Sequence, residues 1–346
     1  MPDLPLVSIL IPNYNHSRYL DECIQSALDQ TYPNVEILLL DNQSADSSVS
    51  VAAKYASRGV RINRNIINIL NRSYRVLAEQ MASGEYLLLM GADDAIHPAF
   101  VEKAVDIMQR HPQVGYVHGE RDFMDEQSNL IELDPFFNCS FVAPGRSVMP
   151  IYMVTTIAHP AQGIVRRSAF ERIEGYQREV DHMNADKSLW FYLSAVSDYA
   201  YIRDKMCRIR VSTNNQTALT QQNFQHPVLC HMIINEFCRY AEQHGFEGVA
   251  ARKEEALQRL AVDFLAYAGG MLANGNYEGA WSYLAYAKIL WRGVTGQKRW
   301  QCLMGMWKSK KIDMEYIAHY DTMFAARKRN YEPPSGFVPI DMGALQ

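Results

Sequence analysis

The chain has 346 residues, 48% hydrophobic and 21% charged, which is ordinary globular composition and enough length for a sizeable core plus a second unit. A net charge of -4 excludes the global basic field that recruits nucleic acid. The six cysteines include no C-x-x-C pair, so neither a zinc pattern nor a disulfide framework is present, and they read as reduced thiols in a cytoplasmic protein.

The opening MPDLPLVSIL has no basic region before a long apolar run, so no signal peptide is expected, and no stretch approaches the ~20 apolar residues of a membrane helix. A soluble protein is expected, or one held only at a membrane surface. Residues 6–12 are a β-branched and Leu run ended by proline and predict a buried strand. Residues 17–30 space Leu20, Ile24, Ala27 and Leu28 at helical intervals behind Ser17 as N-cap. A second buried strand is predicted over 35–41, a helix over 45–57, a short strand over 60–65, a helix over 69–83 ended by Gly84, and a strand over 85–90. Strands alternating with helices argue for a parallel sheet with helices on both faces. From 99 to 215 the pattern is mixed, with an amphipathic helix after residue 99 and another over 186–197 that puts Leu189, Trp190, Leu193 and Val196 on one face. From about 220 to 330 the pattern is helical and rich in Ala, Leu, Met, Tyr and Trp, and a Pro- and Gly-rich tail follows.

Three of the predicted strands run into polar turns: Asn13 to Asn15, Asp41 to Ser44, and Asp93 with Asp94. Ligands of open parallel sheets bind beyond the carboxyl ends of the strands, so these turns are expected to converge on one crevice. Two adjacent carboxylates at the mouth of a core strand are costly unless a cation sits there.

The stretch VSILIPNYNHSRYLDECIQSALDQTYPNVEILLLDNQSADSS resembles the opening of glycosyltransferase family 2, the inverting GT-A enzymes. That family begins with an apolar strand, Pro-x-Tyr-Asn, a helix, and a strand ending in Asp-Asp-Gly-Ser-x-Asp, here Asp41-Asn42-Gln43-Ser44-Ala45-Asp46. GEYLLLMGADD is similar to its Gly-Glu-Tyr strand and D-x-D metal motif, IVRRSAFERIEGY to the segment before its acceptor-side acid, and ADKSLWFYL to its Glu-Asp-x-x-Leu-Trp helix. The resemblance covers about residues 6–217 and implies an α/β GT-A fold, a doubly wound, mostly parallel sheet over 1–217, followed by a helical C-terminal domain over 218–330 and an irregular tail over 331–346. Three positions depart from the family pattern: Gly91 stands where the first Asp of D-x-D is usual, Ala185 replaces the Glu of Glu-Asp, and Ser212 stands where many members have His.

The resemblance implies transfer of a sugar from a nucleotide-sugar, a UDP-sugar by preference, with Mn²⁺ or Mg²⁺ as cofactor. Such ions take oxygen ligands and often only one or two protein carboxylates plus phosphate. Asp93 is the expected ligand with Asp94 beside it; the residues alone equally suit capping of a helix that begins near Pro98. Asp41 is expected to accept from the donor base, or to form an Asx turn before Ser44. Pro12, Asn13, Tyr14 and Asn15 would form the floor of the nucleotide site, with Tyr14 against the base or in the core, and Asn71 completes the implied nucleotide-sugar set. Asp186 is the candidate base, which would take the acceptor proton in a single inverting displacement; an N-cap role competes. Gln162 is placed against the sugar or acceptor, and Arg210 against the diphosphate or in a surface salt bridge.

Residues 291–311 mix Trp291, Trp300 and Trp307 with Arg292, Lys298, Arg299, Lys308, Lys310 and Lys311. That mixture suits an anionic membrane surface, and equally a packed helix pair with a solvated basic face. The acceptor is expected to be a hydroxyl of a growing surface glycan or a lipid-linked acceptor. A nucleotidyltransferase is disfavoured because PNYNHSRYL is no Gly-rich basic loop. A non-catalytic nucleotide-sugar-binding or scaffold protein derived from such an enzyme stays open on account of Gly91 and Ala185.

Overall fold

The computed structural model describes residues 4–68, 77–173, 185–211, 224–325 and 329–343. The chain divides into two compact units. The first takes Met1–Met149, Thr156–Val211 and Arg329–Gln346; the second takes Pro150–Thr155 and Ser212–Lys328.

The first unit is built on one mixed sheet. Strands β1 (Val7–Asn13), β2 (Val35–Asp41), β3 (Val60–Arg64) and β4 (Tyr86–Leu89) are parallel, in the order β3-β2-β1-β4. β1 and β4 are buried almost throughout because helices cover a parallel sheet on both faces, which is why they read as unbroken apolar runs. Helices α1 (Ser17–Leu28) and α2 (Ser48–Ala53) connect these strands; α1 buries Leu20, Cys23, Ile24 and Ala27. The helix expected over 45–57 is shorter, ending in a 3₁₀ turn before Gly59, whose φ of 90° suits glycine. Of the helix expected over 69–83, residues 69–76 lie outside the described residues, and Leu77–Met81 form a π-helical turn.

Beyond β4 come the two-residue strand β5 (Ala95–Ile96), helix α3 (Phe100–Arg110) and the long strand β6 (Val114–Met124), followed by the short β7 (Leu130–Ile131) and β8 (Phe141–Ala143). Helix α4 (Gly145–Val154), strand β9 (Gly163–Arg166), helices α5 (Arg167–Phe170) and α6 (Ala185–Val196), and strand β10 (Asp198–Arg210) complete this stretch. β9 lies antiparallel between β4 and β6, and β10 runs parallel to β6. The carboxyl ends of β1, β2, β4, β6 and β10 therefore share one edge, and the loop that leads into β9 sits at that same edge. This is the GT-A architecture. Leu189, Trp190 and Leu193 of α6 are buried as the helical spacing requires, and Val196 only partly.

The tail expected to be irregular returns to this unit. Strand β11 (Val338–Pro339) pairs antiparallel with β8, at the sheet edge where proline is tolerated. Upstream of it, Tyr331 exchanges backbone hydrogen bonds with Phe136 and Asn138, and Arg329 pairs with the buried Glu120 at 3.0 Å.

The second unit is helical: α7 (Gln225–Gln243), α8 (Glu247–Ala250), α9 (Lys253–Ala273), α10 (Tyr277–Leu290), α11 (Lys298–Ser309) and α12 (Met314–Ala325). Ala256, Ala261, Ala268 and Gly269 of α9 and Ala280 and Ala287 of α10 are buried, so the small residues bring these two helices close. Asn276 caps α10 by accepting the Gly279 N–H at 2.8 Å. Trp307 stacks on Trp281 at 4.9 Å and donates its indole N–H to the Tyr277 carbonyl, so the aromatic part of the Trp/Lys segment is committed to packing while Lys298, Lys308, Lys310 and Lys311 face solvent. Among the described residues no helix is long and apolar enough to cross a membrane.

Candidate active site

The nucleotide side of the edge is built on the register of β1 and β2, which sets Asn13 opposite Asp41. Both are fully buried. The Asn13 amide donates to Asp41 Oδ2 at 2.9 Å and to Ser44 Oγ at 3.1 Å, and Asp41 Oδ1 accepts the Ser44 N–H at 3.0 Å and faces Arg64 Nε at 3.5 Å. Asn13 Oδ1 is buried and has no donor among the described residues. Asn15 sits at a φ of 57°, a left-handed conformation that Asn tolerates, and from there its Oδ1 accepts the Ala45 N–H at 2.8 Å. Burial works against the charge of Asp46, yet hydrogen bonds from Ser48 and Ser17 bring its carboxyl down to about 2. Asp41 thus makes the Asx-type turn at the carboxyl end of β2. Tyr14 is 37% exposed and makes no hydrogen bond among the described residues; Pro12 is partly buried beside it. Asn71 lies outside the described residues.

At the end of β4 the chain turns through Gly91 into the two aspartates. Asp94 is buried and its Oδ1 accepts the Arg210 backbone N–H at 3.0 Å. Burial and the neighbouring Asp93 charge push the Asp94 carboxyl well above the usual range, against the pull of Arg210. Asp93 is only partly buried, and its carboxylate has no hydrogen-bond or ion-pair partner among the described residues. Gly91 has a steric reason: a Cβ there would lie 2.6 Å from Asp94 Oδ2 and 3.1 Å from Asp93 Oδ1. The carboxylate of Asp94 therefore takes up the space that a side chain at position 91 would need. Two oxygen donors, one of them unpartnered, suit a hard divalent ion that takes its other ligands from phosphate and water. Among the described residues no group of three or more His, Cys, Asp and Glu side chains forms a closed metal cage.

Arg210 does not present its guanidinium to a diphosphate. It is buried, donates to the Asp93 carbonyl at 3.0 Å and the Asp125 carbonyl at 2.6 Å, pairs with Glu22 at 2.6 Å and lies over the Tyr19 ring at 4.1 Å. It clamps the aspartate loop from below. Gln162, expected against sugar or acceptor, is likewise committed inside the protein: its amide donates to the Gly119 carbonyl and accepts from His159 N–H and Arg121, each at 2.9 Å.

Asp186 opens α6, which is held in place one turn later by Trp190. The Trp190 indole donates to the Ala158 carbonyl at 3.2 Å, and Gly163 is glycine because a Cβ would fall 2.1 Å from that ring. Asp186 Oδ1 accepts the Lys187 N–H at 2.8 Å. Burial raises its carboxyl to about 6, while that hydrogen bond and the charges of Lys187 and Arg121 oppose the rise. A carboxylate that titrates near neutrality suits proton transfer. His159, in the loop that leads into β9, is held at about 3 by burial and by Arg121, so it is neutral.

Arg121 and Glu120 are the residues that sequence reasoning missed. Both are buried in β6. Their signal was present in GERD, residues 119–122, a polar run inside a strand that is otherwise apolar.

A profile described as "Glycosyl transferase family 2" matches residues 8–173. Over those residues, just under half of the chain, the sequence is similar to glycosyltransferase family 2. The chain is 25% identical over 228 residues to a chondroitin synthase of Escherichia coli, an alignment covering 64% of this chain and 31% of that protein, so the chain spans about a third of that relative. Among solved structures it is similar to S. aureus TarS 1–349 in complex with UDP-GlcNAc, with 14% identity, a TM-score of 0.57, and coverage of 98% of this chain and 97% of that one. The mannosyltransferase PcManGT of Pyrobaculum calidifontis, in complex with GDP-Man and Mn²⁺, aligns with 16% identity and a TM-score of 0.54 over 94% of this chain and 85% of that one. At these identities the likeness is one of fold. It runs through the helical unit, for which the residues alone offered no counterpart.

Proposed function

We propose that this protein is an inverting glycosyltransferase that moves a sugar from a nucleotide-sugar, by preference a UDP-sugar, to a hydroxyl of a growing glycan or lipid-linked acceptor. The observation that carries the reading is Asp93: a partly exposed carboxylate without a protein partner, at the carboxyl edge of the sheet, beside the buried Asp94. Asp93 and Asp94 would hold Mn²⁺ or Mg²⁺, which when bound stabilises the charge that develops on the leaving diphosphate. Asn13, Asp41 and the Asn15 turn form the floor, with the exposed Tyr14 ring available to a base. Asp186, ionised above about pH 6, takes the acceptor proton as the hydroxyl attacks the anomeric carbon on the face opposite the diphosphate, which gives inversion. Of the two structural neighbours, one is complexed with UDP-GlcNAc and the other with GDP-Man and Mn²⁺, which supports a nucleotide-sugar site and a metal in this fold.

The non-catalytic alternative rests on Gly91 and Ala185; the carboxylate of Asp94 beside position 91 weighs against the first of these. The test is thermal stabilisation by UDP, GDP and their sugars with Mn²⁺, with Mg²⁺ and with EDTA. Stabilisation by one nucleotide only with metal, abolished by Asp93→Ala while the ligand-free melting temperature holds, is expected. A flat panel would leave a protein without a donor site. The same reading puts the reaction in the cytoplasm, with peripheral attachment to an anionic membrane through Lys298, Lys308, Lys310 and Lys311; failure to bind anionic vesicles at low salt removes the attachment alone.

A further inference from the structure

Arg121 is buried in the carboxyl half of β6, beside the loop that leads into β9. Among the described residues, the hydrogen bonds of its guanidinium all leave from one nitrogen. Nη1 donates to the Ile157 carbonyl at 3.0 Å and to Gln162 Oε1 at 2.9 Å. Among the described residues Nε is buried with no acceptor, and no hydrogen bond or ion pair uses Nη2. Nε and Nη2 form one edge of the guanidinium, the side-on fork that matches the two oxygens of a carboxylate or phosphate. The ring of Phe123 lies 5.3 Å from the guanidinium carbon, which together with the Nη1 bonds fixes the plane of the fork.

Charge points the same way. The carboxylate nearest to Arg121 is Glu120, 3.9 Å from Nη1, and Glu120 is already paired with Arg329 at 3.0 Å and accepts the Tyr201 hydroxyl at 2.5 Å. Two guanidiniums thus share one carboxylate, and among the described residues Arg121 has no carboxylate of its own within ion-pair distance. A buried charge so placed is costly unless an anion arrives to meet it. Asp186 is near enough for the two charges to influence each other, but forms no ion pair with Arg121. Register places the fork relative to the aspartate loop: Ile96, two residues past Asp94, pairs with Cys207, and Cys207 pairs with Arg121, so two strand spacings, ~10 Å, separate them.

We propose that the Nε–Nη2 edge of Arg121 is an oxyanion receptor in the half of the site away from the nucleotide, and that the substrate carries a carboxylate or phosphate there. The proposal rests on the glycosyltransferase reading for the identity of that substrate, but not for the binding of an anion. The anion belongs either to the donor sugar, as a uronate carboxylate, or to the acceptor, as a carboxylate or phosphodiester of the glycan.

The test uses the full chain with inorganic phosphate as probe, titrated calorimetrically into protein saturated with UDP and Mn²⁺, so that the diphosphate subsite is filled. One saturable phosphate site is expected, weakened at least tenfold in Arg121→Lys, with UDP affinity unchanged as the control for an intact fold. Arg121→Gln, which keeps an N–H for the Ile157 carbonyl, serves if the lysine variant does not fold. A second arm compares UDP-glucuronate with UDP-glucose. A preference for the uronate that Arg121→Lys erases assigns the anion to the donor; phosphate binding that depends on Arg121 without any donor preference assigns it to the acceptor. Absence of phosphate binding to the wild-type UDP complex together with absence of a donor preference, or binding and preference that both variants leave untouched, overturns the proposal and leaves Arg121 a pin for the β9 loop. If UDP itself fails to bind, the glycosyltransferase reading falls separately, and phosphate titrated into the ligand-free protein still decides the question for Arg121.

Discussion

Two buried arginines stand at the same sheet edge and do different things. Arg210 has its guanidinium fully engaged, by the Asp93 and Asp125 carbonyls and by Glu22, and it closes the aspartate loop. Arg121 is held by one nitrogen only and leaves an edge without an acceptor among the described residues. The difference separates a half of the site whose polar groups satisfy each other, apart from Asp93 and Asn13 Oδ1, from a half arranged around something that has yet to bind. Changes in the closed half are therefore expected to register in stability, and changes in the open half in turnover and specificity.

The largest effect is expected in the open half. Asp186→Asn should slow transfer by roughly 10²–10⁴-fold, the usual worth of a positioned general base, without unfolding the protein. Because the base acts ionised and its folded value is about 6, wild-type kcat/KM should be level above that pH and fall about tenfold per unit below it, a limb the variant lacks. Stability runs the opposite way. An acid whose value is raised on folding opposes folding once ionised, so Asp186→Asn should melt higher than wild type at pH 8, and the gap should close as pH falls from 6 towards 4. A variant that keeps the pH limb would place the base elsewhere.

Arg210→Met comes next and belongs to the closed half. Removing the buried guanidinium leaves the Asp93 and Asp125 carbonyls unmatched, and a loss of about 1–3 kcal/mol is expected in urea unfolding. A stable variant that has instead lost only UDP affinity would return Arg210 to the diphosphate. The smallest effect sharpens the contrast within one loop. Gly91→Ala forces a Cβ against Asp94 Oδ2 and should cost ~1–3 kcal/mol. Adding Asp94→Ala should recover most of that stability while leaving metal-dependent UDP binding impaired, and simple additivity in this double-mutant cycle would show that the two positions do not share space.

Much of the frame was readable because parallel strands buried on both faces announce themselves as apolar runs, and because Pro12 to Asn15, Asp41 and the Asp93–Asp94 pair each follow such a run. Asp186 was readable only through the family resemblance, since an acid at a helix start has an ordinary local explanation. Gln162 and Arg210 were placed at the right edge but with the wrong partners: their partners, Gly119 and Arg121 for one and Glu22 and Asp125 for the other, come from distant segments that no local pattern announces. Arg121 was missed because a charged pair within a strand reads as a solvent-facing interruption, whereas here Tyr201 and Arg329 meet Glu120, and Gln162 meets Arg121, inside the protein. The return of the tail was equally hidden, because two paired residues, Val338 and Pro339, leave no periodicity to detect.

That return has a consequence for how the protein is made. Arg329 follows Glu120 by 209 residues, and the whole helical unit lies between them. At a synthesis rate of ~5–20 residues per second, roughly 10–40 s pass on the ribosome between the two. Through that interval Glu120 has only its neighbour for a countercharge, and β8 offers an open edge to any strand that reaches it. The nascent first unit is thus unfinished while its insert is being translated, and its exposure to chaperones and to misassembly is set by the length of the helical unit it waits for.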